Sequence, residues 1–247
     1  DVSGRPWLEW MVVLPNDQDG NSSLIAVDRK TGKTVWETKR NSKVAAYSTP
    51  CVYEPKDGKK QLIFNSQAHG ITGVDPATGK VLWEYTNAFD KRSVSSPVIV
   101  AGLAIGSCGS GGGGNYIVAV KPGDDAKKQP ATLAWEMKKS ACYVPTPVVV
   151  GDLLFSWSDG GIVTCVKGTT GEVKWQERAG GNFFGSPIVV DGRIYAISTS
   201  GEVVVVKAAE TFEVLGRSQL GELTHTTPAV AGGKLYIRTL KHLVSVG

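Results

Sequence analysis

A glycine-rich segment is the first part of this sequence whose residue types could do chemistry. Residues 109–114, GSGGGG, satisfy the G-x-G-x-x-G pattern with which dinucleotide-binding proteins approach a pyrophosphate. That function also needs a helix directly after the glycines, because the helix N-terminus holds the anion. The segment that follows, residues 116–120 (YIVAV), is typical of a strand instead. The sequence therefore predicts a mobile hairpin loop here and no dinucleotide site.

Acidic and amide residues near the start of the chain have the spacing of a calcium loop. Asp17, Asp19, Asn21 and Asp28 fall at positions 1, 3, 5 and 12 of such a loop. Position 6 requires glycine for the sharp turn, but Ser22 stands there, so we expect a hairpin turn rather than a metal site. The three histidines fall in different parts of the chain, with no second ligand near any of them in sequence: His69, His225 and His242.

The four cysteines lie singly, without a Cys-x-x-Cys pair. Four thiols in 247 residues form neither a disulfide scaffold nor a zinc framework, so free buried thiols are the default expectation. If a bridge forms, we expect it between Cys108 and Cys142, because the loops that carry them open on the same face of the predicted fold. Cys51 and Cys165 lie in strand-like runs and are expected to be small core residues.

The composition is that of an ordinary globular protein, with 41% hydrophobic and 20% charged residues. The net charge of +4 is scattered in lysine doublets, whereas a nucleic-acid-binding surface would gather it in one stripe, so we expect no nucleic acid partner. No apolar stretch is long enough for a spanning helix. The chain starts at Asp1 without an initiator Met or a signal-peptide core, so we expect that its natural beginning is missing.

The elements that would position these residues repeat along the chain. A Ser/Thr-Pro pair opens an apolar run five times, with the prolines at Pro50, Pro97, Pro147, Pro187 and Pro228. An apolar stretch ending in Val-Asp or Val-Lys recurs between them, and so does a Thr-Gly turn followed by a tryptophan. Each unit divides into four strands separated by glycine turns, which is typical of a propeller blade. We therefore predict an all-β protein, a β-propeller of four-stranded antiparallel blades with about five to six blades in this chain.

The predicted propeller is a single domain over residues 1–247. Its units span about 1–43, 44–90, 91–139, 140–179, 180–221 and 222–247. The first unit lacks the Ser/Thr-Pro strand and the last lacks the tryptophan strand, which gives 22 strands in all. These unmatched edges predict a processed chain or a C-terminal portion of a longer protein, and they could associate through the open blade ends.

Residues 26–36 (AVDRKTGKTVW) and 73–83 (GVDPATGKVLW) resemble the A-x-D-x-x-T-G-x-x-x-W repeat of the PQQ-like, or quinoprotein-type, β-propeller family. The resemblance covers nearly the whole chain and implies a ring of seven or eight blades, of which this chain would be a part. The family contains quinone-dependent alcohol and glucose dehydrogenases and also non-catalytic, BamB-like propellers, and the resemblance implies the second kind. It further implies that one tryptophan per unit docks between neighbouring blades, at Trp36, Trp83, Trp135 and Trp175. In the fifth unit Leu215 stands at this place.

The resemblance also gives a test for redox chemistry. Quinone-dependent dehydrogenases of the family hold PQQ with a vicinal cysteine pair and a bound calcium with acidic ligands, and use a catalytic aspartate. This sequence has no Cys-Cys pair and no Asp-rich loop between units, and the repeat aspartate becomes lysine at Lys121, Lys167 and Lys207. We therefore expect no PQQ, no calcium, no other metal and no catalytic residue. A quinone-dependent oxidoreductase remains the alternative function.

The leading hypothesis is a non-catalytic scaffold that binds a protein or a small ligand at the channel face, where the loops between blades meet the hairpins between second and third strands. Exposed aromatic and basic side chains are typical of such interfaces. The candidates are Asn65, Arg92, Tyr143, Trp157, Phe183, Phe184, His225 and Arg238. Trp157, and one of Phe183 and Phe184, could instead pack between blades. Similarity to envelope proteins implies the periplasm or the cell surface.

Overall fold

The computed structural model describes residues 10–247 and shows six antiparallel sheets. Four sheets have four strands, and the first and last have three within the described residues. In every sheet the strands follow one another in chain order, and each pairs with the next. The described residues form 22 strands, as the repeats predict, and the fold class, an all-β propeller of four-stranded blades, is confirmed.

The strand bounds follow the repeat units. Blade 1 has strands β1 Met11–Asn16, β2 Ser22–Asp28 and β3 Thr34–Arg40. Blade 2 has β4 Cys51–Tyr53, β5 Gln61–Ser66, β6 Gly70–Val74 and β7 Val81–Tyr85, followed by a 3₁₀ turn at Thr86–Ala88. Blade 3 has β8 Val98–Val100, β9 Leu103–Cys108, β10 Tyr116–Lys121 and β11 Thr132–Met137.

The second half of the chain continues the same order. Blade 4 has β12 Val148–Val150, β13 Leu153–Trp157, β14 Ile162–Lys167 and β15 Val173–Arg178. Blade 5 has β16 Ile188–Val190, β17 Arg193–Ile197, β18 Glu202–Lys207 and β19 Val214–Gln219. Blade 6 has β20 Ala229–Ala231, β21 Lys234–Arg238 and β22 Leu243–Val246.

A β-bulge recurs between the third and fourth strands of the repeat. The register shifts at Ala26/Val27 in blade 1 and at the corresponding pair in each of blades 2 to 5. The residue just before the shift lies opposite the tryptophan, as Ala26 lies opposite Trp36. A bulge bends its strand and strengthens the local twist, so it can aim a side chain out of its own sheet.

The placement of Leu215 in the tryptophan position of blade 5 is wrong by one residue. Gly216 pairs with Val205 there, as Trp175 pairs with Cys165 in blade 4. The connection between the third and fourth strands is one residue longer in blade 5 than in blade 4. The number of residues that separates Val166 from Trp175 in blade 4 therefore leads from Val206 to Leu215, one residue before Gly216. Leu215 is 42% exposed.

The tryptophans of the fourth strands reach the next blade. Nε1 of Trp36 donates a hydrogen bond to the carbonyl oxygen of Pro76 in blade 2, over 2.9 Å. Nε1 of Trp135 likewise donates to Gly168 O in blade 4, and Nε1 of Trp175 to Ala209 O in blade 5. Trp83 differs, because its Nε1 donates to the side chain of Gln61 within its own blade while its ring packs on blade 3. All four side chains are buried.

The Ser/Thr-Pro pairs join consecutive blades by a second, inner series of hydrogen bonds. The backbone N–H of Thr49 donates to Ser96 Oγ, and that of Ser96 donates to Thr146 Oγ1, both over 3.0 Å. The series continues from Thr146 N to Ser186 Oγ and from Ser186 N to Thr227 Oγ1. Each of these hydroxyls thus accepts from the equivalent residue of the preceding blade, which explains why Ser or Thr precedes the proline.

The hydrophobic core is divided rather than continuous. Five clusters of buried side chains are found, and each lies between two consecutive sheets. The cluster between blades 4 and 5 is the most aromatic, with Phe155, Trp157, Trp175 and Phe183. Because every blade is packed on its neighbours, the loops at one end of the sheets stand on a rigid frame.

Candidate functional site

The channel face is the end of the sheets at which two sets of loops meet. One set connects the last strand of a blade to the first strand of the next, and the other set contains the hairpins between second and third strands. Backbone bonds tie the two sets together: Gly109 N donates to Arg92 O, and Thr199 N donates to Asn182 O. Side chains on these loops are therefore held in fixed relation to one another.

The structure separates the predicted site residues into two groups. Arg92 and Tyr143 are half-buried, whereas Phe184, His225 and Arg238 are exposed on the channel face. The other three are buried: Asn65 is 1% exposed, and Trp157 and Phe183 are 0% exposed. These three side chains are therefore not exposed on the channel face, and for Trp157 and Phe183 the alternative of packing between blades holds.

Packing between blades explains the burial of Trp157 and Phe183. Their rings meet edge to face, with centroids 5.7 Å apart, inside the cluster between blades 4 and 5. Phe183 is thus the packing member of the Phe-Phe pair, and Phe184, which is 45% exposed, is the member that faces outward.

Asn65 is buried for a different reason. Its amide lies against the backbone of Gly106 in blade 3, where a Cβ atom would come within 2.8 Å of both Asn65 Nδ2 and Oδ1. Neither of these atoms has a hydrogen-bond partner among the described residues. Asn65 therefore lies between blades 2 and 3 and not on the surface.

A groove of about 520 Å³ crosses the channel face between blades 3 and 6. It brings together three of the predicted residues, Tyr143, Phe184 and His225. The rings of Phe184 and His225 pack edge to face with centroids 5.2 Å apart. Asp159 also lines the groove and holds the backbone of the loop at Tyr143 and Val144. Its carboxylate accepts hydrogen bonds from Tyr143 N (2.8 Å) and from Val144 N (3.1 Å).

A smaller cavity of about 220 Å³ adjoins this groove at blade 6 and is lined by both His225 and Arg238. The backbone carbonyl of Arg238 accepts bonds from the hydroxyls of Thr224 and Thr226, at 2.6 and 2.8 Å. These bonds hold the backbone while the guanidinium group stays exposed. Four of the predicted residues thus lie along one continuous surface.

Tyr47 completes the rim of the channel face, and the sequence interpretation missed it. Its side chain is 62% exposed, and the guanidinium carbon of Arg92 lies 5.6 Å from the centre of its ring. Tyr47 stands three residues before Pro50, as Phe184 stands before Pro187 and His225 before Pro228. The repeat register therefore carried the signal, and an alignment of the five Ser/Thr-Pro motifs would have found it.

The cysteines are free thiols, and the conditional bridge between Cys108 and Cys142 is not formed in the structure. Burial raises the pKa of Cys51 and Cys165 to about 12 and that of Cys142 to about 11. Burial also raises the pKa of Cys108. Thiols in this state are poor nucleophiles at neutral pH, because the thiolate is the reactive form.

The carboxylates with calcium-loop spacing point to different partners. Asp17 is fully buried and pairs with Arg40, with Nε and Oδ1 3.2 Å apart. Asp19 accepts a bond from Ala45 N, and Asp28 accepts bonds from the backbone of its own Thr-Gly turn. Within residues 10–247, no group of three or more His, Cys, Asp or Glu side chains is placed to hold a metal.

The channel face does not fit PQQ with a calcium ion. The thiols nearest to it are both buried, Cys108 at the end of β9 and Cys142 on the loop after β11, and they are not adjacent in sequence as a vicinal pair must be. The carboxylates on the face already accept hydrogen bonds from donors of the chain, as Asp159 and Asp19 show. Among the described residues, this face therefore offers neither the cysteine pair nor the cluster of free carboxylates that PQQ and calcium would need.

The chain is similar to known proteins over most of its length. A family model described as outer membrane protein assembly factor BamB matches residues 3–177 and 115–246. BamB from Moraxella catarrhalis is a similar solved structure, with 17% sequence identity, coverage of 95% of this chain and 83% of that chain, and a TM-score of 0.47. A europium-containing methanol dehydrogenase is also similar, with 14% identity, coverage of 49% of this chain and 24% of that chain, and a TM-score of 0.40. No curated protein matches the sequence. Among the described residues, no helix has the length and apolar character needed to cross a membrane.

Proposed function

The chain belongs to the family of the outer membrane protein assembly factor BamB, and we propose that it is a non-catalytic β-propeller scaffold that binds a protein partner in the cell envelope. The partner docks on the channel face. We also propose a periplasmic or cell-surface location, because the description of the family refers to assembly at the outer membrane.

One observation carries the proposal of a docking surface: exposed aromatic rings stand on the channel face at the equivalent position of three blades, Tyr47, Phe184 and His225, each three residues before the inner-strand proline. Tyr47 is 62% exposed and Phe184 is 45% exposed, although each belongs to a loop fixed by hydrogen bonds between blades. Exposed aromatic residues on a rigid frame lose little conformational entropy on binding and are enriched among residues that dominate binding energy.

Site-specific photo-crosslinking in intact cells tests the docking surface. Tyr47 and Phe184 are replaced one at a time by p-benzoylphenylalanine, and Val173 on the outer strand β15, which is 49% exposed, serves as the matched control. We expect a discrete protein adduct from the two channel-face positions and none from Val173. Equal adducts from all three positions, or an adduct from Val173 alone, would contradict the proposal.

The proposal also predicts that the chain does not bind a quinone. Absorbance and fluorescence titration of the purified chain with PQQ and calcium should be flat, because the channel face offers neither a vicinal cysteine pair nor a free carboxylate cluster within residues 10–247. Saturable micromolar binding together with dye-linked alcohol oxidation would contradict the scaffold proposal and support the alternative, a quinone-dependent oxidoreductase.

A further inference from the structure

The glycine-rich hairpin of residues 109–114 contributes bare backbone to the groove on the channel face. Gly111 and Gly113 line the groove, and no described atom outside their immediate chain neighbours lies within 4 Å of the place that a Cβ atom of either would occupy. Ser110, which also lines it, donates its hydroxyl to Gly113 O over 3.2 Å. The hairpin therefore leaves open space in the groove instead of filling it with side chains.

Three aromatic rings line the same groove: Tyr143, Phe184 and His225. Phe184 and His225 are exposed and Tyr143 is half-buried. The face of a benzene or phenol ring carries negative potential and attracts a cation that lies within about 6 Å of the ring centre. This attraction is stronger where the cation has left water, so a groove favours it more than a convex surface does.

Asp159 supplies the charge of the groove. Among the described residues that line the groove, it is the only aspartate or glutamate, and no lysine or arginine is present. It also joins the loops that carry two of the rings, because its carboxylate accepts from Tyr143 N and its backbone carbonyl accepts from Phe183 N over 2.9 Å. Two backbone donors leave the carboxylate negative and use only part of its roughly four lone-pair sites. A ligand in the groove therefore meets a negative charge beside aromatic rings.

Cations of neighbouring loops limit how much positive charge a ligand can bring. Lys91 Nζ donates to Gly113 O and Gly114 O of the hairpin, and Arg238 lines the adjoining cavity, but neither side chain lines the groove itself. Both remain positive, so a run of basic residues laid across this face would be repelled. The charges therefore favour a single cation in the groove.

We propose that the groove binds one cationic side chain, a lysine or an arginine, of the protein that docks on the channel face. Its charged group lies beside the Asp159 carboxylate and against the rings of Tyr143 and Phe184, while its aliphatic stem packs along the glycine hairpin. This inference rests on the proposed docking function and adds the chemistry of the partner. An anionic group fits less well, because the groove offers it no lysine or arginine among the described residues.

Titration of the isotope-labelled 247-residue chain with synthetic peptides, followed by two-dimensional NMR, tests the proposal. The probe is a short peptide that places one lysine between two leucines in a Gly/Ser frame. The matched peptide has acetyl-lysine instead, which removes the charge. We expect the lysine peptide to shift the amide signals of Tyr143, Asp159 and Phe184 saturably and to bind at least about threefold more tightly than the matched peptide. Its affinity should fall as salt is raised.

Variants separate the contribution of the charge from that of the ring. Asp159→Asn removes the charge and Phe184→Leu removes the ring, and each should weaken binding of the lysine peptide about threefold or more. Phe184→Tyr keeps a ring and should bind the lysine peptide more tightly than Phe184→Leu does. Phe184 is exposed, so these variants keep the test valid even if Asp159→Asn, which loses an acceptor for a backbone N–H, is less stable.

Asp191→Asn is the matched control for the charge. Asp191 is an exposed aspartate on the turn between β16 and β17, at the opposite end of blade 5, and it forms no ion pair within residues 10–247. Its variant should bind the lysine peptide as the parent chain does. A loss as large as that of Asp159→Asn would show a general effect of net charge and overturn the proposal.

Four further results would overturn it. The lysine and acetyl-lysine peptides could bind equally, or a peptide with glutamate in place of the lysine could bind as tightly as the lysine peptide. A peptide with a run of five lysines could bind far more tightly with the same variant dependence, which would indicate a basic segment instead of a single cation. Cadaverine alone could bind as tightly as the lysine peptide, which would indicate a site for a free amine.

The photo-adduct from Tyr47 keeps this proposal distinguishable from the docking function. An adduct that persists in Asp159→Asn, together with equal binding of the lysine and acetyl-lysine peptides, would leave the docking function standing and remove the cationic side chain. No adduct from Tyr47 or Phe184, together with saturable binding of the lysine peptide, would instead overturn the protein partner.

Discussion

At the scale of single residues, a glycine of the Thr-Gly turn controls how one blade meets the next. Gly79 has φ +73°, and a Cβ atom there would lie 2.5 Å from the ring of Trp36 in blade 1. Gly79→Ala must therefore both strain the backbone and displace the tryptophan. We expect a loss of about 3 kcal/mol or more in the free energy of unfolding, measured by chemical denaturation.

The equivalent glycine of blade 1 is a matched control for that prediction. Gly32 has nearly the same conformation, φ +69°, but no described atom outside its immediate chain neighbours lies within 4 Å of the place that a Cβ atom would occupy. Gly32→Ala should cost only the backbone term, about 1 kcal/mol. If both variants lose the same stability, the contact with Trp36 does not contribute and the tryptophan does not act as a docking residue.

The hydroxyl that precedes each inner-strand proline gives a second prediction at this scale. Thr146→Val keeps the shape of the side chain but removes the oxygen that accepts the N–H of Ser96. Because Ser96 is half-buried, we expect a loss of about 1–2 kcal/mol in unfolding free energy. Thr132→Val, at an exposed position of β11 without a side-chain hydrogen bond among the described residues, should stay within about 0.5 kcal/mol of the parent chain.

Residue patterns predicted the frame of the site better than its surface. Turn glycines and tryptophans recur with the repeat, so they identified the blades and their order. Phe183 and Phe184 are adjacent and chemically identical, however, and only the packing of Phe183 on Trp157 decides which one faces outward. Asn65 is polar and was expected at the surface, yet the absence of a side chain at Gly106 creates room for it between two blades.

At the scale of elements, the contact between blades 1 and 2 contains a polar network that responds to pH. Arg40 at the end of β3 pairs with Asp17 and lies 3.6 Å from Glu84 of β7, while His69 Nδ1 lies 3.0 Å from the same carboxylate. Burial alone would raise the pKa of Glu84, but the hydrogen bond from His69 and the positive charges of His69 and Arg40 outweigh it. The pKa of Glu84 is therefore held below its usual value of 4.5.

Because the pKa of Glu84 is lowered in the folded state, acid should destabilise the fold. A carboxylate whose pKa is lower in the folded state stabilises the fold above its unfolded pKa, and this contribution is lost as the pH falls through the folded pKa. We expect the urea midpoint of the chain to fall between about pH 5 and pH 3, and Glu84→Gln to reduce that fall. Glu37→Gln, at an exposed site of β3 without an ion pair among the described residues, should leave the profile unchanged. If the urea midpoints of the parent chain and of Glu84→Gln fall equally between pH 5 and pH 3, Glu84 does not contribute to the pH dependence.

At the scale of the whole molecule, stability should vary around the blades because the core is divided into clusters between neighbouring sheets. In such an arrangement each unit is stabilised by the units it touches. β13 is buried along its whole length, whereas all three residues of β20 are exposed and blade 6 contributes few side chains to its cluster. The blades therefore share one topology but not one local stability.

Amide hydrogen exchange measures this difference directly. The hairpins β16–β17 and β20–β21 are a matched pair, since each joins its strands by three paired residues, but β16 is half-buried and β20 is exposed. We expect the amides of β20–β21 to exchange at least about tenfold faster than those of β16–β17, because local opening there exposes less apolar surface. β9, β10, β13 and β14 should be the slowest strands. Equal protection of the two hairpins would show that the blades unfold as one cooperative unit, and the clusters would then not limit local opening.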